Sequence, residues 1–389
     1  MPKTTMMTKS TPARSRSARP LPAAAASLVL LLGAAGTSGS AWAQLTNDLM
    51  AVRGDLSQSQ SLLINEHVSR YAGDLQSESA AAVRQGREEL VRPLERSTTS
   101  RDFRVAYSGV LVPELRSILN SDESAVPAKI NALIVLGKLA SDDALESLRP
   151  QLQSELDALR YTAAMAHRLT FDQMRREMHI FNPASAMPTV SESLRDAFAA
   201  ERQPVVMHAQ IQAMAAIPEP AMAIETITNG IERQIADLHE NGDRGHENST
   251  LEPGARAMRI REGLDAAMRR YTDLIGVNPT IRRQQQRELA ITSAAILVMA
   301  TEQATNDGIV EEARPHYDAL VRTSENILNV VTGQTAESKR VSESFAAGGF
   351  AEAERALNGF WLNDTGPLYG DPVRDISPAD IEQALDAGN

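Results

Sequence analysis

From residue 44 onward this chain almost never alternates apolar and polar residues with period two, the pattern a half-buried strand requires. Ala, Leu, Glu, Gln and Arg dominate instead, residues that give up little side-chain freedom on entering a helix. Apolar side chains recur three and four residues apart, as in Leu56, Leu63, Ile64, Val68 and Tyr71, and again in Val83, Leu90, Val91 and Leu94. The expectation is an all-α protein. These two runs predict a helical pair within 44–100, broken at Ser97-Thr98-Thr99-Ser100. Further helices are predicted at 255–275, 280–303 and about 309–331, inside a helical region spanning 255–340. The apolar run Leu289 to Ala300 is short and contains Thr292 and Ser293, which predicts a buried helix rather than a membrane span.

Residues 1–43 have the three parts of a secretory signal peptide. Lys3, Lys9, Arg14, Arg16 and Arg19 precede an apolar run from Ala23 to Gly36, and Ala41-Trp42-Ala43 supplies the small-residue cleavage pattern. The expected destination is the periplasm or the outside medium, with no transmembrane helix left once the signal is removed. The alternative for this segment is an uncleaved anchor. The chain has no cysteine, which excludes disulfides, thiolate metal sites and cysteine nucleophiles. Five of its 39 basic residues and none of its 50 acidic ones lie in the leader, so the remainder carries a net charge of −16. That acidity opposes binding to nucleic acid.

The centre carries a more specific pattern. Residues Val112 to Ala140 read VPELRSILNSDESAVPAKINALIVLGKLA, with Pro113 taken to lie near the start of a first helix whose Leu115, Ile118 and Leu119 face a second one. That second helix holds Lys129, Ala132, Leu136, Gly137 and Leu139. A further unit places Arg160 and Ala163 at an offset of 31 from Lys129 and Ala132, and a weaker copy sets Ala209 and Ala221 at an offset of 77 from Ala132 and Ala144. The segment 101–240 resembles HEAT repeats, departing from them where Val126-Pro127-Ala128-Lys129 separates the valine from the basic residue. The resemblance implies an α-α superhelix in which each hairpin buries its apolar face on the next, and a surface that holds a partner. An irregular helical bundle is the alternative architecture.

Four groups of residues are candidates for chemistry. The polar loop at 241–254 and its approach bring His239, Asp243, His246 and Glu247 together in sequence, a set that would suit a transition metal or an ordinary solvated turn. Met165, His167, Met174, Met178, His179, Met207, His208 and Met214 would suit a soft ion such as copper(I), or irregular core packing. Residues 256–287 hold eight arginines against Glu262, Asp265 and Asp273, and among them Arg269, Arg270, Arg282, Arg283 and Arg287 are candidates for contact with an anionic envelope polymer, a protein or the chain's own tail. That tail, 341–389, has nine acidic residues against Arg355 and Arg374, and an aromatic group in which Trp361 and Tyr369 would either stack on a ligand or plug the end of a solenoid.

No nucleophile elbow, H-E-x-x-H, P-loop or dinucleotide glycine pattern occurs, and nothing in the sequence calls for a cofactor. The expected function is an exported, non-catalytic scaffold that holds a protein or an envelope polymer. The competing expectations are an all-α enzyme acting on cell-wall glycan or peptide, with its carboxylates beside Trp361, and a periplasmic metal-binding protein.

Overall fold

The computed structural model describes residues 45–242, 252–274, 276, 278–306, 308–335, 340–369 and 375–387. The signal expected at 1–43 lies outside them, as do Asp243, His246 and Glu247. Among the described residues every regular element is helical and none is a strand. The helices are α1 (Asn47–Met50), α2 (Gln58–Leu75), α3 (Ala80–Glu95), α4 (Arg101–Asn120), α5 (Val126–Leu139), α6 (Asp142–Leu148), α7 (Asp157–Arg175), α8 (Pro183–Ala200), α9 (Pro204–Ala215), α10 (Pro220–Asn241), α11 (Ala255–Thr272), α12 (Pro279–Thr305), α13 (Arg314–Thr332), α14 (Val341–Ala346), α15 (Phe350–Ala356) and α16 (Pro378–Asp386). A short 3-10 turn follows α6 and a π turn, Leu357–Trp361, follows α15.

Two local devices start these helices. Ser57, Ser100, Ser141, Asn182 and Asn278 accept a backbone N–H of the first turn of α2, α4, α6, α8 and α12, each bond replacing a partner the helix itself cannot supply. Proline occupies one of the first two positions of α5, α8, α9, α10, α12, α13 and α16, where its missing N–H costs nothing.

Alternate helices stack on one another. In one row α3, α5, α7, α9, α11 and α13 each meet the next; in the other, α2 meets α4, α4 meets α6, the 3-10 turn meets α8, and α8, α10 and α12 follow. Consecutive helices pair across the rows, as α2 with α3, α10 with α11 and α12 with α13. The result is an α-solenoid whose core lies between the rows and runs from Ile64 to Val331. Leu115, Ile118 and Leu119 are buried as expected, but Pro113 is not near a helix start: α4 extends from Arg101 to Asn120 and carries the proline in its interior. The caps at Ser100 and the apolar face Phe103, Tyr107 and Leu111 bind the preceding turns strongly enough to offset the missing hydrogen bond.

Small residues set the spacing of the α3–α13 row. Ala132, Ala163, Ala209 and Ala213 are fully buried, and a Cβ on Gly137 would stand 2.5 Å from the Ala166 carbonyl oxygen of α7. Thr170 Oγ1 donates to the Gly137 carbonyl at 3.2 Å across the same crossing. Gly137→Ala should therefore lower stability by about 1–3 kcal/mol through overpacking. Urea unfolding reads it, and an unchanged midpoint would mean that α5 and α7 do not meet at this glycine.

The C-terminal end is closed by α14, α15 and the π turn, which bury Phe345, Leu357, Trp361 and Leu368 beside α12 and α13. Helix α16 lies instead on α10 and α12, with Ile381 and Ala384 buried. Among the described residues no helix is long and apolar enough to cross a membrane.

Candidate functional site

Three neighbouring helices of one row start differently from the three they alternate with. At the positions where α4, α6 and α8 carry Ser100, Ser141 and Asn182, helices α5, α7 and α9 carry Ala125, Leu156 and Gln203, none of which makes a side-chain cap. Replacing a capping residue by an apolar one costs about 0.5–2 kcal/mol. These starts also expose large apolar side chains: Val126 is 37% exposed, Leu156 47%, Tyr161 37% and Val205 57%.

Two cross-links hold the three starts side by side. Helices α5 and α7 run parallel, since the Ala140 carbonyl after α5 accepts the Ile180 amide after α7 at 3.0 Å. Gly137 meets Ala166 and Thr170, spacings that bracket the offset of 31 read from the sequence and bring Val126 near the level of Leu156 and Asp157. Arg160, in the first turn of α7, then grips buried Glu201 just ahead of α9 with two hydrogen bonds, Nε to Oε2 at 2.7 Å and Nη2 to Oε1 at 2.9 Å. This bond holds the Arg160 guanidinium above its ordinary pKa. Glu201 Oε1 also accepts the Arg202 and Gln203 amides at 2.9 Å, so the entry to α9 is rigid and Val205 sits beside the first turn of α7. Helices packed in this way lie 8–10 Å apart. The exposed apolar side chains therefore lie on three neighbouring helix starts, a strip of positions whose covering by another protein would bury them.

A groove of 450 Å³ opens beside α5, between the end of α2 and the first turns of α3 and α5. Leu75, Val83 and Ala128 form its apolar lining, and Arg84, Arg87 and Asn131 its polar one.

The residues singled out in the sequence are placed elsewhere. His239 Nε2 lies 2.6 Å from Glu302 Oε2, joining α10 to α12, and among the described residues no three histidine or carboxylate side chains converge on a common point. Met207 and Met214 are core residues, and His208 Nδ1 lies 2.5 Å from Glu262 Oε1. His167 is fully buried with Nδ1 donating to the Ala163 carbonyl at 2.8 Å, and burial pushes its pKa down to about 4. His179 lies against Phe181, ring centroids 4.9 Å apart. Met165 and Met174 pack on the core of α7, and Met178 follows that helix.

The arginines divide. Arg269 and Arg283 are exposed; Arg270 donates to the Ile217 and Pro218 carbonyls at 2.8 and 3.0 Å and to Asp273 at 2.7 Å. Arg282 donates Nε to the Tyr271 hydroxyl at 3.1 Å. Arg287 reaches the tail, with Nη2 2.7 Å from Asp380 Oδ1 of α16. Beneath that helix Glu232 accepts Thr292 Oγ1 at 2.7 Å, and burial pushes its carboxyl up to about 7; burial also raises Glu288 on the facing helix.

Trp361 is no surface platform. Its side chain is 0% exposed and its indole N–H points at Glu325 Oε1 at 3.4 Å, because the end of the solenoid offers apolar surface that the largest available ring covers. The same Glu325 carboxylate accepts the Arg340, Val341 and Ser342 amides and the Ser342 hydroxyl, serving α14 as a cap borrowed from α13. Tyr369 is half-buried, and burial raises its hydroxyl pKa, helped by Glu382 and Asp380.

No family model and no curated protein sequence matches this chain. Among solved structures, the complex of CpcE and CpcF of phycocyanin lyase from Nostoc sp. PCC7120 aligns at 14% identity and a TM-score of 0.30, covering 79% of this chain and 97% of that one. The all-α solenoid assignment stands on the two rows of helices themselves.

Proposed function

We propose that this protein is an exported, non-catalytic scaffold with HEAT-like units, and that it holds a protein partner on the strip formed by the starts of α5, α7 and α9. The observation that carries the reading is Leu156, an apolar residue 47% exposed at a position where the flanking helices α6 and α8 carry a capping Ser or Asn. Both its exposure and the absent cap cost stability, and a partner that covers it would offset both. The zero exposure of Trp361 removes the stacking platform on which a glycan-directed enzyme would depend. Export follows from the basic, apolar and small-residue succession in residues 1–43, and it makes an envelope protein the class of partner to seek.

The test is capture of partners from an envelope extract by the wild-type protein and by Leu156→Glu/Val205→Glu. Both substitutions fall on exposed side chains, so thermal stability should stay within about 0.5 kcal/mol of the parent. The doubly substituted protein should lose the partner that the wild type retains. Equal recovery by the two proteins would place the binding surface elsewhere, and periplasmic or secreted fractionation of the expressed chain tests its address.

A further inference from the structure

The groove beside α5 carries two arginines that no carboxylate of the described residues pairs with. Arg84 and Arg87 stand one turn apart on α3 and line it together. Neither makes an ion pair among the described residues, although Arg92 on the same helix and Arg116, Arg160 and Arg195 on other helices all do. Arg87 is held in place: its Nη1 donates to Asn131 Oδ1 at 3.2 Å, and Asn131 is itself fixed by donating Nδ2 to the Pro127 carbonyl at 2.7 Å. Asn131 is 9% exposed, so this support is part of the packed interior rather than of a mobile surface. Four of the five guanidinium N–H groups of Arg87 remain available to a ligand.

The remaining lining limits what that ligand is. Ala80, Ala125 and Pro127 present exposed apolar surface over a floor of buried Leu75, Val83 and Ala128, and Glu78 is the single carboxylate along the wall. Helix α5 starts at this wall with Ala125, which leaves its first-turn amides without a side-chain acceptor. A volume of 450 Å³ falls in the range of small-ligand pockets and is far below that of a folded module. An inorganic anion would leave the apolar wall uncovered, and a purely apolar segment would bury two cations without a counter-charge, which is costly.

We propose that this groove binds a short acidic peptide segment of the partner, its carboxylate on Arg84 and Arg87 and a neighbouring apolar side chain on Ala80, Ala125 and Pro127. The inference rests on the reading of the adjoining strip as a protein-docking surface, since Val126 and Pro127 belong to the helix start that the two share. The groove contributes charge selection and the strip contributes apolar contact.

Fluorescence anisotropy with two labelled probes, a peptide of alternating Leu and Glu and one of alternating Leu and Lys, tests it on the full-length protein. The Leu–Glu probe should bind, weaken as salt is raised, and lose about tenfold or more in affinity with Arg84→Glu/Arg87→Glu. Because Arg87 also contacts Asn131, the single variant Arg84→Glu, whose side chain is exposed, is measured beside it and should lose affinity in the same direction. Tighter binding of the Leu–Lys probe, no binding of Leu–Glu at millimolar concentration, or unchanged affinity in both variants overturns the proposal. Leu156→Glu/Val205→Glu separates it from the reading on which it rests. That variant should keep Leu–Glu probe binding while losing the envelope partner, so each idea fails on its own readout.

Discussion

Trp361→Ala should lower the stability of this protein by about 3–5 kcal/mol, the usual cost of emptying a fully buried aromatic site. The side chain is 0% exposed and sits where the final hairpin, α12 with α13, would otherwise end in open apolar surface. Two losses add at this position. The ring leaves a cavity in the core beside Phe360, and Glu325 loses the indole N–H from its set of donors. Trp361→Phe separates them, since it keeps most of the ring and removes only the N–H; about 1–2 kcal/mol is expected. Guanidinium unfolding gives both numbers. Light scattering adds a second readout, because a solenoid with a damaged cap exposes its core and self-associates. A Trp361→Ala midpoint equal to that of the parent would show that α14, α15 and the π turn do not close the stack.

The second large effect is a pair of opposing pH dependences. His167 is buried neutral with a pKa of about 4 against an ordinary 6.5. As pH falls below 6.5 the unfolded chain takes up a proton that the folded one refuses, so folding stability drops between pH 6.5 and 4, by roughly 3 kcal/mol in all. Glu232 is the mirror case, with a pKa of about 7 against 4.5. As pH rises from 4.5 to 7 the unfolded chain ionises first, and stability drops by up to about 3 kcal/mol over that window. Between pH 4.5 and 6.5 the two slopes oppose each other, so the parent protein should show a nearly level profile. His167→Leu should leave stability falling as pH rises, and Glu232→Gln, whose amide oxygen still accepts Thr292, should leave it rising. At pH 8 the glutamine variant should exceed the parent by as much as about 3 kcal/mol. Urea titrations at half-unit intervals decide the matter, and parallel profiles for all three proteins would refute the assignment of both groups.

Several features of the fold were legible in the residues because they depend on local periodicity and packing volume. The alternation of helices follows from three- and four-residue spacing, and the offset of 31 between Ala132 and Ala163 falls between the contacts that Gly137 makes with Ala166 and with Thr170. Pro113 was misplaced for an instructive reason. A proline marks a helix start by local rules, yet in α4 the capped Ser100 and the buried Phe103, Tyr107 and Leu111 carry the helix a dozen residues ahead of it. The exposed apolar helix starts left a fainter trace. Ala125, Leu156 and Gln203 occupy positions where helix starts prefer Ser, Thr, Asp or Asn, a deviation that has meaning only once three such starts are known to be neighbours.

What the residues alone determined is the class of the protein: helical throughout, without cysteine, strongly acidic after residue 43, and punctuated by small alanines that let helices approach one another. Those properties are sums or short-range patterns, and each can be read without knowing which segments meet. Only the tertiary structure decided which side chains face water. It buried Trp361 under the last hairpin, set Arg270 and Arg287 to hold neighbouring backbone and tail, and left Leu156, Val205 and Arg84 outside. The reason is geometric: exposure at a solenoid edge depends on the stacking of helices tens of residues apart in the chain, and a hydrophobic pattern within one helix gives no information about where its neighbours end.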